Sequence, residues 1–239
     1  MKVFKFGGAS VKDAAGVINL VNVLKTIGYK DTLVVVSAMG KSTNALEDII
    51  KQYFQDKSKT PSSILPLKEY HLQIAKDLFP DQKNEIIDVI HELFEELLSF
   101  LKSNKSPDYS FVYDQVVSFG ELLSTKIIHH FLRHQGLESF WLDARNCIKT
   151  DDYYRSANLN WDVTQSNIQL QGGNESLVVT QGFIGSNSNN FTTTLGREGS
   201  DYTAAIFAYC LGAESVTIWK DVPGVLNADP RYFENAVLL

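Results

Sequence analysis

The chain is poor in the residues from which covalent and metal frameworks are made. It has two cysteines in 239 residues, Cys147 and Cys210, with no zinc-type spacing and no partner close in sequence. That excludes a disulfide scaffold and a cysteine-rich metal site, and leaves two reduced thiols in a cytoplasmic protein. Long apolar runs are missing too: none reaches the roughly 20 residues that cross a bilayer. The opening MKVFKFGGAS is too short, and too soon broken by glycine, for a signal peptide. Positive charge is scarce. A net charge of -6 argues against a nucleic-acid or anionic-membrane partner.

Three familiar site signatures fail on inspection. Gly40-Lys41-Ser42 imitates the tail of a P-loop, but the first glycine would fall at position 35, which is Val35. No GxGxxG follows a strand candidate. His91-Glu92 begins like a zincin motif, yet Glu95 occupies the second histidine position. His130 and His134 stand four apart and could share a metal or line an exposed helical face, with no third ligand apparent.

What is present is ordinary for a globular protein, 44% hydrophobic and 21% charged, with no repeat and no low-complexity run. The length suits one large domain or two small ones. Met1 to Phe6 reads as a strand broken at Gly7-Gly8, and Ser10 with Asp13 resembles a capping box. Val17, Leu20, Val21, Leu24 and Ile27 then recur at helical spacing until Gly28. Leu33-Val34-Val35-Val36 is a continuous β-branched run, the mark of a strand covered on both faces. Strand, helix and strand in under forty residues open a βαβ unit.

Asn44 with Glu47 is expected to cap the next helix, with Leu46, Ile49, Ile50, Tyr53 and Phe54 on its apolar face. Residues 61–105 are helical in pattern, Ile86, Ile90, Leu93, Leu97 and Leu101 forming one stripe. They read as a helical excursion from the sheet. One further helix is expected over 109–135. Within it Gly120 costs about 1 kcal/mol relative to alanine, which implies close packing there. Glu121 sits among apolar neighbours and needs a cation from the protein or a ligand. Phe140-Trp141-Leu142, Cys147-Ile148 and Leu177-Val178-Val179 are strand candidates, residues 186–190 a polar hairpin or flexible flap, and Ser215-Val216-Thr217-Ile218-Trp219 another buried strand.

The stretch TTTLGREGSDYTAA at 192–205 concentrates an arginine, acids and two glycines before an apolar helix that stops at Gly212. Ser200 or Asp201 is expected to cap that helix, with Gly196 and Gly199 permitting positive φ. Such a loop is either a capped surface turn or an anion site at a helix N-terminus. Gly7-Gly8, Ser37, Phe183 and Asp221 each follow a strand. In open α/β sheets, ligands gather beyond those ends.

Taken together, six segments resemble the catalytic domain of the aspartokinases, within the amino acid kinase family. They are Lys5-Phe6-Gly7-Gly8-Ala9-Ser10, Val36-Ser37-Ala38-Met39, Ser118-Phe119-Gly120-Glu121-Leu122, Thr193-Thr194-Leu195-Gly196-Arg197, Gly199-Ser200-Asp201-Tyr202, and Asp221-Val222-Pro223-Gly224 with Asp229-Pro230-Arg231. They run in family order over nearly the whole chain. The resemblance implies an α/β fold with a mainly parallel central sheet between helices. Residues 1–239 would form one catalytic domain, truncated on its C-terminal side and without regulatory ACT domains. It implies transfer of the ATP γ-phosphoryl group to the side-chain carboxylate of L-aspartate, the first step towards lysine, threonine and methionine, with Mg2+ carried by the nucleotide. The full-length protein would be a homo-oligomer.

By the same resemblance Lys5 neutralises the transferring group and Asp201 orients that lysine. Arg197 holds the substrate α-carboxylate and Glu121 its ammonium group, while Ser37, Thr43, Phe183 and Ser200 shape the pocket. Gly7, Gly8 and Ser10 lie at the phosphates, and Lys220, Asp221, Leu226 and Arg231 along the nucleotide. Three positions depart from the family: Glu198 replaces a common glycine, and Lys220 and Leu226 replace a common threonine and tyrosine. Two other readings are a sister kinase with a different acceptor and a ligand-binding or assembly module that does not turn over.

Overall fold

The computed structural model describes residues 1–80, 85–171, 176–220, 224, 226–230 and 232–238. Strand β1 (Lys2–Phe6) leads through a 3-10 turn at Gly8–Val11 into helix α1 (Ala14–Ile27) and strand β2 (Thr32–Val36). Asp13, rather than Ser10, caps α1, accepting from the Gly16 N–H at 2.8 Å. Ser10 is taken up in the 3-10 turn. Helix α2 spans Ser42–Gln55, beginning two residues before the expected cap at Asn44. The Ser42 hydroxyl turns back onto the Met39 carbonyl at 2.6 Å and starts the helix early.

The helical excursion divides into α3 (Thr60–Leu78) and α4 (Glu85–Ser103). The stripe from Ile86 to Leu101 is buried as its spacing requires. The expected single helix over 109–135 is two, α5 (Tyr109–Val117) and α6 (Phe119–His134). Between them the Ser118 hydroxyl donates to the Gln115 carbonyl at 2.9 Å, offering that carbonyl a local partner in place of a helical one. Strand β3 (Phe140–Leu142) is followed by a single helical turn, α7 (Ala144–Cys147). Cys147-Ile148 is therefore not a strand, because Asp143 caps the turn through the Arg145 N–H.

Helix α8 (Trp161–Gln171), strand β4 (Leu177–Gln181), the antiparallel pair β5 (Ile184–Ser186) and β6 (Thr192–Thr194), helix α9 (Gly199–Leu211) and strand β7 (Ser215–Trp219) complete the order. The hairpin expected over 186–190 joins β5 to β6. Gly212, in the left-handed region, closes α9.

Among the described residues the main sheet has the order β3-β4-β2-β1-β7, with every pair parallel. Helices flank it. Helix α9 packs on β1, β2 and β7 with α8 beside it, while α6 packs on β2, β3 and β4 and carries the helical excursion. The continuous apolar runs of β2 and β4 are buried along their whole length. Strand β7 differs from expectation: Val216 and Ile218 are each 44% exposed. Among the described residues it lies at the sheet edge, paired with β1 alone, and the face carrying Val216 and Ile218 lacks a covering layer while α9 packs on the strand.

Gly120 packs as its helix-breaking character implied. A Cβ there would sit 2.8 Å from the Ala38 Cβ, which has no rotamer to yield. Gly120→Ala is therefore expected to destabilise the protein by roughly 1–3 kcal/mol despite the better helix propensity of alanine. Urea denaturation checks the sign, and Ala38→Gly in the same chain should restore most of the loss.

Candidate active site

Because the main sheet is parallel throughout, β1, β2, β4 and β7 all release the chain at one edge. The exits are stitched together by backbone. The Ser37 N–H donates to the Phe6 carbonyl at 3.2 Å, and the Gly182 N–H to the Val36 carbonyl at 3.0 Å. The Gly7 N–H donates to the Trp219 carbonyl at 3.3 Å, and the Ser10 hydroxyl reaches the same carbonyl at 3.4 Å. Gly8 admits no side chain, since a Cβ would lie 2.4 Å from the Ala38 carbonyl oxygen. With Gly7 occupied, the free amides for an anion are the next ones in the 3-10 turn, whose first N–H groups have no partner within it.

Lys5, the penultimate residue of β1, is only 5% exposed. Its Nζ meets Asp201 Oδ1, on the first turn of α9, at 2.6 Å. Lys220, directly after β7, holds the other oxygen of Asp201 at 3.3 Å. Partial burial would raise the Asp201 pKa, but hydrogen bonding and charge from Lys5, with a further contribution from Lys220, hold it below the ordinary carboxylate value. One carboxylate thus organises two cations from neighbouring strand ends.

These groups open on a crevice of about 210 Å³. Its lining includes Lys5 and Asp201, Ser37, Thr43 and Glu121, and Phe183 with residues 196 and 198–200. A larger cavity of about 580 Å³ between Tyr53, Thr60 and Leu101 collects none of the strand exits. Phe183 lies at φ +71 and Glu198 at φ +55, conformations that cost of order 1–3 kcal/mol for non-glycine residues. The Phe183 N–H is fixed by the Thr203 hydroxyl at 2.9 Å. A Cβ on Gly182 would come within 2.5 Å of the Ser200 side chain, so β4 and α9 touch at the crevice wall. Gly182 and Thr203 are supports that no sequence signal singled out.

Helix α9 starts at Gly199, with Glu198 before it and no side-chain cap from Ser200 or Asp201. The expected cap fails because the helix begins at Gly199, which places Ser200 and Asp201 inside its first turn, and the Asp201 carboxylate meets Lys5 instead. Gly196 has the expected positive φ of 76°, whereas Gly199 is helical, and a Cβ there would lie 2.6 Å from the Phe183 ring.

Glu121 is 2% exposed. Its Oε1 accepts from the Ala38 N–H at 3.2 Å, and its buried Oε2 has no partner. No ion pair joins it to a cation among the described residues, so the cation it called for is not supplied by them. Burial pushes its pKa up to about 8, against a modest opposing pull from the Ala38 amide. Arg197 is exposed, lies between lining residues 196 and 198, and makes no ion pair among the described residues. Leu226 bridges Leu238 away from the lining. Asp221 and Arg231 lie outside the described residues. His130 bonds the Lys126 carbonyl and His134 packs against Phe79 and Phe131. No group of three His, Cys, Asp or Glu among the described residues could hold a metal, and no helix there is long and apolar enough to cross a membrane.

A buried lysine paired with a partly exposed aspartate at converging strand exits thus lines the same crevice as a buried carboxyl. The model of the amino acid kinase family matches residues 1–239. The chain belongs to the amino acid kinase family. Within that family it is 35% identical to lysine-sensitive aspartokinase 3 of Escherichia coli, over 96% of this chain and 51% of that protein. It is 32% identical to the E. coli bifunctional aspartokinase/homoserine dehydrogenase 2, over 100% of this chain and 29% of the relative. The structure superposes on E. coli aspartokinase III solved with aspartate and ADP, with a TM-score of 0.90 at 32% identity, covering 100% of this chain and 53% of that one. The chain thus spans about half the length of one of these relatives and under a third of another.

Glu121 makes the stability of the unliganded protein pH-dependent. The folded state keeps its proton up to about pH 8, whereas the unfolded chain releases it near 4.5. Its contribution is therefore fully favourable below about pH 4.5, declines as pH rises to about 8, and is level beyond. Glu121→Gln should flatten that decline, worth on the order of a few kcal/mol, in melting temperatures recorded across the range.

Proposed function

We propose that the protein is an aspartate kinase, or the kinase portion of one, transferring the γ-phosphoryl group of ATP to the side-chain carboxylate of L-aspartate. The single observation that carries this reading is the pairing, in one crevice, of a buried cationic centre with a buried carboxyl that lacks a counter-ion. A polyanionic donor calls for the first; an acceptor with an ammonium group calls for the second. The names of its relatives, and the aspartate and ADP in the E. coli structure, support the same assignment.

The acceptor carboxylate, with a reference pKa near 4, is ionised at neutral pH and needs no general base. The chemical difficulty is repulsion between two anions. Catalysis is then positioning plus positive charge. Lys5, held by Asp201, neutralises the moving phosphoryl group, and the amides following Gly7 and Gly8 hold phosphate oxygens, with Ser10 closing that turn. Glu121 receives the acceptor's ammonium group, and on doing so gives up its proton. Arg197 takes the α-carboxylate, and Ser37, Thr43, Phe183 and Ser200 fix the acceptor between them. Lys220, Asp221, Leu226 and Arg231 run along the nucleotide. The residues fit a magnesium nucleotide: Asp201 and the cationic lining provide for it, and the metal, carried by the phosphates, would supply further positive charge.

The buried, unpaired Cys147 and Cys210 suit a cytoplasmic enzyme of amino-acid biosynthesis leading to lysine, threonine and methionine. The homo-oligomer rests on the family resemblance alone.

Incubation of the protein with ATP, L-aspartate and hydroxylamine should give aspartyl hydroxamate. A folded protein that forms none overturns the reading, and hydroxamate or product only with another acceptor would assign it to a sister kinase. Arg197→Ala should raise the KM for aspartate roughly ten- to hundredfold while leaving the KM for ATP in place.

A further inference from the structure

Outside the crevice lies a second buried carboxylate that this chemistry does not use. Asp114, on α5, has no exposed surface, and each of its partners is a donor from another segment. The Thr194 N–H reaches Oδ2 at 2.8 Å and the Thr194 hydroxyl reaches Oδ1 at 2.9 Å. The Arg155 N–H spans both oxygens at 3.1 Å. Gln115, the next residue, grips the other end of β6. Its Oε1 accepts from the Thr192 N–H at 3.1 Å and its Nε2 donates to the Thr192 carbonyl at 2.7 Å. Two consecutive helix side chains therefore pair with both ends of a three-residue strand, as a neighbouring strand would.

Strand β6 is where the acceptor loop begins. The Leu195 N–H donates to the Phe183 carbonyl at 2.9 Å. Gly196 then turns with its backbone against the segment Asp114 holds: a Cβ would lie 3.3 Å from the Arg155 carbonyl oxygen and from Ser156 Oγ. The Ala157 N–H closes the junction on the Thr194 carbonyl at 2.9 Å. Asp114 thus stands where α5, segment 151–157 and β6 meet, and that junction sets the base of the loop lining the crevice. Burial pushes its pKa up to about 6 against the pull of these donors, so at neutral pH it is mostly ionised, with both oxygens open to accept.

We propose that Asp114, assisted by Gln115, is a positioning residue for acceptor binding, fixing β6 so that residues 195–199 are presented to the crevice. It touches no reacting atom, and the proposal rests on the reading of the crevice as a kinase acceptor site. A merely structural residue would lower stability or the active fraction without favouring one substrate over the other. A positioning residue should act on the acceptor alone.

Two readouts separate these roles. In Asp114→Ala, amide hydrogen exchange over 195–199 should accelerate about tenfold or more, and the KM for aspartate should rise about tenfold while that for ATP stays within about twofold. Asp114→Asn should keep both within about threefold of the parent protein. Its carbonyl can stand in for Oδ2, and its amide can donate to a rotated Thr194 hydroxyl. Thr194→Val, which removes one donor without changing volume, should loosen the loop to a smaller degree and serves if Asp114→Ala does not fold. Unchanged exchange over 195–199 in the folded variants overturns the proposal, as does a parallel rise in both KM values. So does an Asp114→Asn protein as impaired as Asp114→Ala. If the parent protein fails to phosphorylate aspartate, the kinase reading falls, and the exchange measurement still decides the junction.

Discussion

The architecture turns on a lysine that is nearly buried and never alone. Lys5 sits one residue from the end of β1, an interior strand of a parallel sheet, where solvation of its ammonium is largely lost, and Asp201 lies 2.6 Å away. A pair of this kind adds little net stability, because desolvation offsets the attraction, yet losing one partner costs about 3–5 kcal/mol. The pair therefore fixes geometry more than it deepens the energy well. It ties the end of β1 to the first turn of α9, and through Lys220 to the end of β7. The crevice opens between these points.

Opposite charge requirements are served within it. Lys5 on Asp201, with Lys220 on the other oxygen, supplies positive charge suited to a phosphate chain. Glu121 shares the lining without an ion pair among the described residues, and burial pushes its pKa up to about 8, so it favours the neutral carboxyl until something positive arrives. A ligand that is anionic at one end and carries an ammonium at the other meets both conditions, and an amino acid placed against a nucleotide is such a ligand. The strained Phe183 is held by Thr203 and by the packing of Gly199 against its ring, so the crevice wall there is over-determined by its neighbours.

Much of this was readable from residue order. Period-two and continuous apolar runs located β1, β2 and β4. The 3.6-residue stripes located α1, α2 and α4, and Gly7-Gly8 marked the exit of β1. The misreadings have two physical causes. Asp201 does not cap α9 because the helix starts earlier, at Gly199, and its carboxylate meets a tertiary partner, Lys5; Ser118 interrupts a continuous helical pattern through a local bond to the Gln115 carbonyl. Strand β7 is apolar in sequence yet exposed, since burial depends on its place in the strand order. Asp114 looked like one more polar residue on α5, and only the return of segments 151–157 and 192–194 gives it meaning. Lys5, Ser37, Thr43, Glu121, Phe183, Ser200 and Asp201 do converge on one crevice, whereas Arg197 stands at its edge and Leu226 apart.

The claim that positive charge from Lys5 overcomes the repulsion between two anions is tested most directly by single-turnover phosphoryl transfer in Lys5→Met. The side chain keeps most of its apolar length and loses its charge and its hydrogen-bond donors. The account predicts a fall in the transfer rate of about a hundred- to a thousandfold, with aspartate affinity nearly unchanged and the fold intact. Transfer at the parent rate in that variant would contradict it.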